Sequence, residues 1–432
     1  MPSSTRAAES ALRRWRPGPA ASVLAALVFA ASSTLQIAGV PFTSSWGTRT
    51  RFDMDVYRLG GQAWHQGLSL YADGSLPFTQ DGIWLPFTYP PFAALVFTPL
   101  GAMSLAVTSI GISIVTVALL VYVTKLTFDV LDVGDHANRW QLGLILSAVT
   151  VWFNPFWMTL GFGQINLVLM ALIMVDVFVV GRRGGLGATA QGVLTGLASA
   201  VKLTPLVFLA VFLVAGRVRA VVVGVVAFVG AAALAWLWMP DDSKTYWTDT
   251  VFHTGRIGEP EGRINQNLNA LWLRLFDGGS TASILWVVSS LVVTVLAVGA
   301  ALAARPREAF APGAIDGRVD AMVVACTVAV WGFLISPTTW AHHWVWCVPA
   351  LLTCLVFAAR TDDRRVRCVY GALTVVGTAI FAIGPFQLIP PIQQGWSWAD
   401  HIVGNTFVIW GVAMLLAFWR MPYRNVTQAA AD

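Results

Sequence analysis

Charge is what this chain has least of: 11% of its 432 residues are charged, whereas 56% are hydrophobic. An ordinary soluble domain carries about 25% charged residues, so a soluble globular fold is excluded, and the mean hydropathy of +0.68 says the same. Cysteine is scarce. Cys326, Cys347, Cys354 and Cys368 lie in or beside apolar runs without metal-ligand spacing and read as small buried hydrophobes. No Walker loop and no Rossmann glycine fingerprint is present, which removes the usual cradles for a nucleotide-activated substrate. Internal repeats, low-complexity tracts and an appended soluble domain are missing too. The net charge of +5 could suggest nucleic acid. The basic residues, however, fall in short clusters between apolar spans, a pattern that membrane orientation explains and that leaves nucleic acid without a role.

What fills the chain instead is long apolar runs, well past the roughly ten residues of a barrel strand. The expected fold class is an all-α polytopic membrane protein. A basic patch (Arg6, Arg13, Arg14, Arg16) precedes an apolar run from about Ala20 to Val40. A secretory signal peptide has the same shape, but the run is long for one and many spans follow, so a retained first helix is expected. Residues 1–16 then form a cytoplasmic N-terminus, 17–425 a single transmembrane domain, and 426–432 a disordered tail. Arg182-Arg183, Arg217 with Arg219, Arg305 with Arg307, Arg364-Arg365 with Arg367, and Arg420 with Arg424 punctuate the apolar runs and belong in the cytoplasm. Residues 41–88 and 240–280 become large extracytoplasmic loops. With both termini inside the crossings are even in number, about twelve. Residues 89–104, bracketed by Pro90-Pro91 and Pro99, are too short for two crossings and read as an embedded half-segment.

With so few charges, their positions are informative. Arg51-Phe-Asp-Met-Asp-Val-Tyr57 puts Asp53 and Asp55 just past the first span. A carboxylate left unpaired in lipid costs roughly 3 kcal/mol or more, so this pair must be solvated, paired or used. The same outer face receives Gln164 and Asn166 from a turn, Lys202 from Lys202-Leu-Thr-Pro205, and Arg256, Arg263, Asn265 and Gln266 from the second large loop. Ser336-Pro-Thr-Thr-Trp-Ala-His-His-Trp344 adds Trp340, His342 and His343. Each has a plain alternative: Lys202 snorkelling, amides joining helices, tryptophans in an interfacial belt. Together they form a chemical set. Lys, Arg and His stabilise a phosphate, a carboxylate takes a proton from a hydroxyl, and amides and tryptophans suit sugars. That set fits glycosyl transfer from a lipid phosphate. A transporter or lipid flippase is the alternative class, but the charges crowd one interface and no repeated halves appear.

The segments Arg51–Tyr57, Leu85-Pro-Phe-Thr-Tyr-Pro-Pro91, Gly163-Gln-Ile-Asn-Leu-Val-Leu-Met170, Val201-Lys-Leu-Thr-Pro205 and Ser336–Trp346 resemble the polyprenol-phosphate-mannose-dependent α-(1→2)-mannosyltransferases of mycobacteria and related actinobacteria. These belong to glycosyltransferase family 87 and have the GT-C fold. The resemblance implies polyprenyl (decaprenyl) phosphomannose as donor, a mannosylated glycolipid as acceptor, inversion at the transferred sugar, and a plasma-membrane enzyme with its active site on the extracytoplasmic face. It places the catalytic acid on Asp53, with Asp55 second. Lys202, Arg256 and His342 or His343 would hold the donor phosphate; Tyr57, Gln164, Asn166, Asn265, Gln266 and Trp340 would position sugars. The acceptor resembles a lipomannan or lipoarabinomannan backbone to be branched, phosphatidylinositol mannosides being the alternative. Enzymes of this fold often recruit a divalent cation, but two acids two residues apart do not support a metal site, and no metal or other cofactor is expected.

Overall fold

The computed structural model describes residues 16–38, 51–74, 76–80, 82–182, 189–306 and 315–421. The N-terminal patch apart from Arg16, the start of the first loop, Arg183, Arg307, Arg424 and the C-terminal tail lie outside the described residues. Among them there is no strand, only an isolated antiparallel bridge between Asn265 and Trp340.

The chain folds as α1 (Pro19–Ala38), α2 (Phe52–His65), α3 (Pro91–Gly101), α4 (Leu105–Leu131), α5 (Arg139–Thr150), α6 (Asn154–Phe162), α7 (Asn166–Phe178), α8 (Val193–Val201) and α9 (Leu209–Val214). It continues with α10 (Val218–Trp238), α11 (Pro240–Thr248), α12 (Leu268–Phe276), α13 (Gly279–Ala303), α14 (Ile315–Ile335), α15 (Cys347–Arg360), α16 (Arg364–Ile383), α17 (Trp398–Gly404) and α18 (Thr406–Arg420). Local chemistry marks many boundaries. Ser104 caps α4 by accepting from the Val107 amide, and Asp363 caps α16 through the Arg365 and Val366 amides. Ser397 and Asp400 cap each other's backbone at the start of α17. Prolines open α3, α6 and α11, where a missing N–H costs nothing.

Helices α10 and α13 leave large apolar side chains such as Leu237, Val226 and Leu291 uncovered, as a lipid-facing surface does. In contrast, α14 and α15 are buried at the centre of the main apolar core. Among the described residues seven helices are long and apolar enough to cross a bilayer, or nine if the bent pairs Asn154–Phe162 with its predecessor and Thr406–Arg420 with its predecessor each count once. Long helices alone therefore do not reach the expected dozen. Near the site the membrane-depth elements are short: α7 has 13 residues, and α8 and α9 are separated by Lys202 and a 3₁₀ turn over Thr204–Phe208. Residues 89–104 contribute α3, 11 residues and about 16 Å long, which is half a bilayer.

Two ends of the bundle differ in kind. At one, Arg16 pairs with Asp135 at 2.6 Å and Arg139 with Asp132 at 2.6 Å, while Arg360 donates to the carbonyls of Leu131 and Asp132. The other end holds the polar cavity described next, reached from the basic end along α15. Contacts there are close. Gly61 of α2 lies where a Cβ would come within 2.5 Å of the Phe97 carbonyl oxygen, so only glycine lets α2 pack onto α3.

Candidate active site

The cavity occupies about 580 Å³ between the first turn of α2, the Leu85–Pro90 segment, the Lys202–Thr204 break, the 250–264 loop and the Ser336–His343 segment. Asp53, Gln164, Lys202, Arg256, Trp340, His342 and His343 all line it. Among the described residues Asp53 is its one acidic lining side chain. Phe52, Tyr89, Phe162, Tyr246 and Trp340 supply aromatic faces.

Gly163 fixes the approach of the amide turn to α2. It has φ +71° in the left-handed region, and a Cβ there would fall 2.6 Å from Met54 Cβ. The next residue, Gln164, lies against Asp53 and donates from Nε2 to Asp53 Oδ2 at 2.7 Å. Its Oε1 accepts from the Tyr57 hydroxyl at 2.8 Å and from Lys202 Nζ at 3.4 Å. Because Tyr57 gives its proton to Gln164, the Tyr89 hydroxyl donates to Tyr57 across 3.2 Å. Burial pushes the Asp53 carboxyl up to about 6, against the Gln164 hydrogen bond and the Lys202 charge, which both favour the ionised form. Burial raises the Tyr57 phenol as well, so it remains a protonated donor.

Among the described residues the partners of Lys202 are neutral: Gln164 Oε1, Asn166 Oδ1 at 3.5 Å, His343 Nε2 at 3.3 Å, and the Tyr89 ring 5.6 Å from the ammonium. A charged ammonium has no lone pair, so His343 Nε2 must accept, which leaves the other ring nitrogen to carry the proton. The neighbouring His342 is buried with both ring nitrogens unpartnered, and it stands edge-on to the Phe162 ring at 5.3 Å. The two histidines are thus not equivalent. Arg256 is tethered by its guanidinium to the Tyr71 carbonyl at 3.0 Å and to Asp73 at 3.3 Å.

Other expected site residues stand elsewhere. Asp55 is buried, does not line the cavity, and is used by the Arg58 guanidinium at 2.9 Å and the Gln80 amide at 2.7 Å. Tyr57 is fully covered and touches the cavity wall through Gln164 and Tyr89. Asn166 lines the adjoining second cavity rather than this one, accepts from Lys202, and holds the 3₁₀ turn over Ala341–Trp346 by donating to the His342 carbonyl at 2.8 Å. Asn265 and Gln266 are also absent from the cavity wall. Asn265 accepts from the Thr339 amide at 2.8 Å and donates to Pro260 O at 2.7 Å, and Gln266 donates to Arg263 O and Gly404 O. Their effect is to hold the strand-like stretch that presents Trp340. Sequence reasoning did not assign Tyr89, Thr204, Phe162 or Tyr246, all cavity-lining; for Tyr89 the signal was the Leu85–Pro91 motif itself. Arg274 was also missed. It is buried under three backbone carbonyls and Asn405, and braces the second loop.

A second cavity of about 320 Å³ adjoins the first and shares Leu203, Thr204, Ser336 and His343 with it. Its remaining wall is mostly apolar, including Leu169, Met170, Ile173, Phe208 and Phe333. Among the described residues no three His, Cys, Asp or Glu side chains converge as a metal site requires.

Residues 87–337 match glycosyltransferase family 87. A protein of Mycolicibacterium smegmatis, named polyprenol-phosphate-mannose-dependent alpha-(1-2)-phosphatidylinositol mannoside mannosyltransferase, is 37% identical over 85% of this chain and 83% of its own length. The chain belongs to glycosyltransferase family 87. A Mycobacterium tuberculosis protein of the same name is 33% identical, covering 85% of this chain and 84% of that protein. A second M. tuberculosis relative, named for a phosphatidylinositol pentamannoside, is 30% identical over 87% of this chain and 84% of its own. The crystal structure of ArnT from Cupriavidus metallidurans bound to undecaprenyl phosphate aligns with 93% of this chain and 75% of its own, at 13% identity and a TM-score of 0.35. By its family, its relatives and its apolar helices, this chain is a multi-pass membrane glycosyltransferase, and transport is set aside as its activity. The family match begins at residue 87, beyond Asp53, whereas the relatives align across most of the chain.

Proposed function

We propose that the protein transfers mannose from polyprenyl phosphomannose to a mannosylated phosphatidylinositol glycolipid in α-(1→2) linkage, with Asp53 as general base. One observation carries this reading: a single carboxylate, Lys202, Arg256 and two imidazoles line one cavity that continues into an apolar groove. The cations suit the donor phosphate, the groove suits the first units of its polyprenyl chain, and the aromatic walls suit sugar faces. The donor class and linkage follow those in the relatives' names.

In the reaction the acceptor hydroxyl oxygen bonds to the mannose anomeric carbon as the bond from that carbon to the phosphate oxygen breaks. The bonding electron pair leaves with the polyprenyl phosphate, whose added negative charge Lys202 and Arg256 stabilise. The hydroxyl proton passes to Asp53, which the raised carboxyl value equips to accept it near neutral pH. Attack opposite the departing phosphate inverts the sugar. Asp53 lines the cavity and Asp55 does not, which favours Asp53 as the base. The arginine-rich loops at the far end of the bundle support an extracytoplasmic site by the positive-inside rule.

Relatives at 37% and 33% identity are named for phosphatidylinositol mannosides and one at 30% for the pentamannoside; branching of the lipomannan or lipoarabinomannan backbone is the finer reading from sequence resemblance. The test is purified protein with radiolabelled polyprenyl phosphomannose and, in parallel, phosphatidylinositol dimannoside, pentamannoside and lipomannan. An α-(1→2)-mannosidase-sensitive product is expected, with lipomannan the preferred acceptor. Label crossing vesicles without covalent transfer, or a product resistant to that enzyme, would overturn the reading.

A further inference from the structure

The amide of Gln164 touches both the acid and the cation of the site. Asp53 and Lys202 carry opposite charges on the wall of one cavity, yet among the described residues no ion pair joins them. Between them stands Gln164. A carboxylate can only accept and an ammonium can only donate, so the side-chain amide has one permissible orientation: NH₂ toward Asp53 Oδ2 at 2.7 Å, C=O toward Lys202 Nζ at 3.4 Å. The Tyr57 hydroxyl, itself held by Tyr89, donates to the same carbonyl oxygen and locks that orientation. The backbone is fixed as well, since Gly163 has no room for a side chain against Met54.

We propose that Gln164 is a positioning residue that separates the base from the phosphate-binding cation, so that neither is neutralised by the other before substrate arrives. This inference rests on the mannosyl-transfer reading and gives Gln164 a task other than sugar binding. A direct Asp53–Lys202 pair would stabilise the ionised carboxylate and weaken it as a base, while removing the cation from the donor phosphate. The neutral amide keeps the two from direct contact and still satisfies both groups. Its donation to Oδ2 leaves the other carboxylate oxygen to receive the proton.

The pH dependence of Asp53 involves every charged or titratable group on its surroundings. On its own helix, Tyr57 faces it through Gln164, while Asp55 and Arg58 pair with each other. Tyr89 approaches from the Leu85–Pro91 segment, Lys202 from the break before α9, and His342 and His343 from the 3₁₀ turn. His253 and Arg256 approach from the second loop, and Tyr246 from α11.

The decisive variant is Gln164→Glu, assayed as purified full-length protein with polyprenyl phosphomannose across pH, beside Asp53→Asn. The added carboxylate repels Asp53 and pairs with Lys202. Turnover should fall about 10²-fold, and the acid limb of kcat/KM should move up by about one unit. Gln164→Asn, whose shorter amide cannot span both groups, should let Asp53 and Lys202 pair directly, lowering kcat and moving the acid limb down; it serves if Gln164→Glu fails to fold, as judged by thermal unfolding. A change confined to acceptor KM with the acid limb unmoved would make Gln164 a sugar contact and overturn the inference, leaving Asp53 as base. Full activity of Asp53→Asn would instead remove the underlying reading.

Discussion

Two polar clusters flank the cavity and put similar side chains to opposite uses. In the first, Asp53, Gln164 and Lys202 hydrogen-bond one another and line open space. In the second, Asn265, Gln266 and Asn267 are fully buried and bond mostly to backbone, with Asn267 capping α12. The first cluster holds groups ready for a ligand and the second holds the wall on which Trp340 stands. The site amide bonds side chains on the cavity wall, whereas the structural amides bond backbone.

That contrast can be broken by experiment. Lys202→Met should lower kcat/KM by about 10²–10³-fold, the cost of losing a donor aimed at developing phosphate charge, with thermal stability little changed. A fall in melting temperature that accounts for the lost activity would assign Lys202 to the wall instead. The pH profile should show the next largest effect. Burial raises the Asp53 carboxyl to about 6, and the base works only when ionised. Transfer should therefore be full above that value and fall about tenfold per unit below it. An acid limb near the ordinary carboxylate value would contradict the buried setting. Asn265→Ala should act in the opposite way. It strands the Thr339 amide and the Pro260 carbonyl, lowering stability by about 2–4 kcal/mol in thermal or denaturant unfolding. Activity per folded molecule should change least of the three.

Much of this was legible beforehand. Long apolar runs gave the fold class, and the scarcity of charge made each acid and base near position 53, 202, 256 and 342 conspicuous. What sequence could not supply is direction. Asp53 and Asp55 are two residues apart, but on a helix that is about 200° of rotation; one faces the cavity and the other pairs with Arg58 and Gln80. His342 and His343 diverge on a 3₁₀ turn by about 120°, so one bonds Lys202 and the other leaves both ring nitrogens unpartnered. The amides at 265 and 266 had no sequence mark distinguishing a backbone partner from a sugar. The span count was obscured for a related reason: near the site the helices are broken at Lys202 and shortened at Asn166, so hydropathy runs and helices do not coincide.

The central claim is that one carboxylate on the cavity wall takes the acceptor's proton. It is tested most directly by single-turnover mannosyl transfer with Asp53→Asn, alongside equilibrium binding of polyprenyl phosphomannose to the same protein. Donor binding should stay within a few-fold of wild type while the transfer rate falls about 10³-fold, the usual contribution of a positioned base. Transfer at near-normal rate by the folded, donor-binding variant would contradict the account.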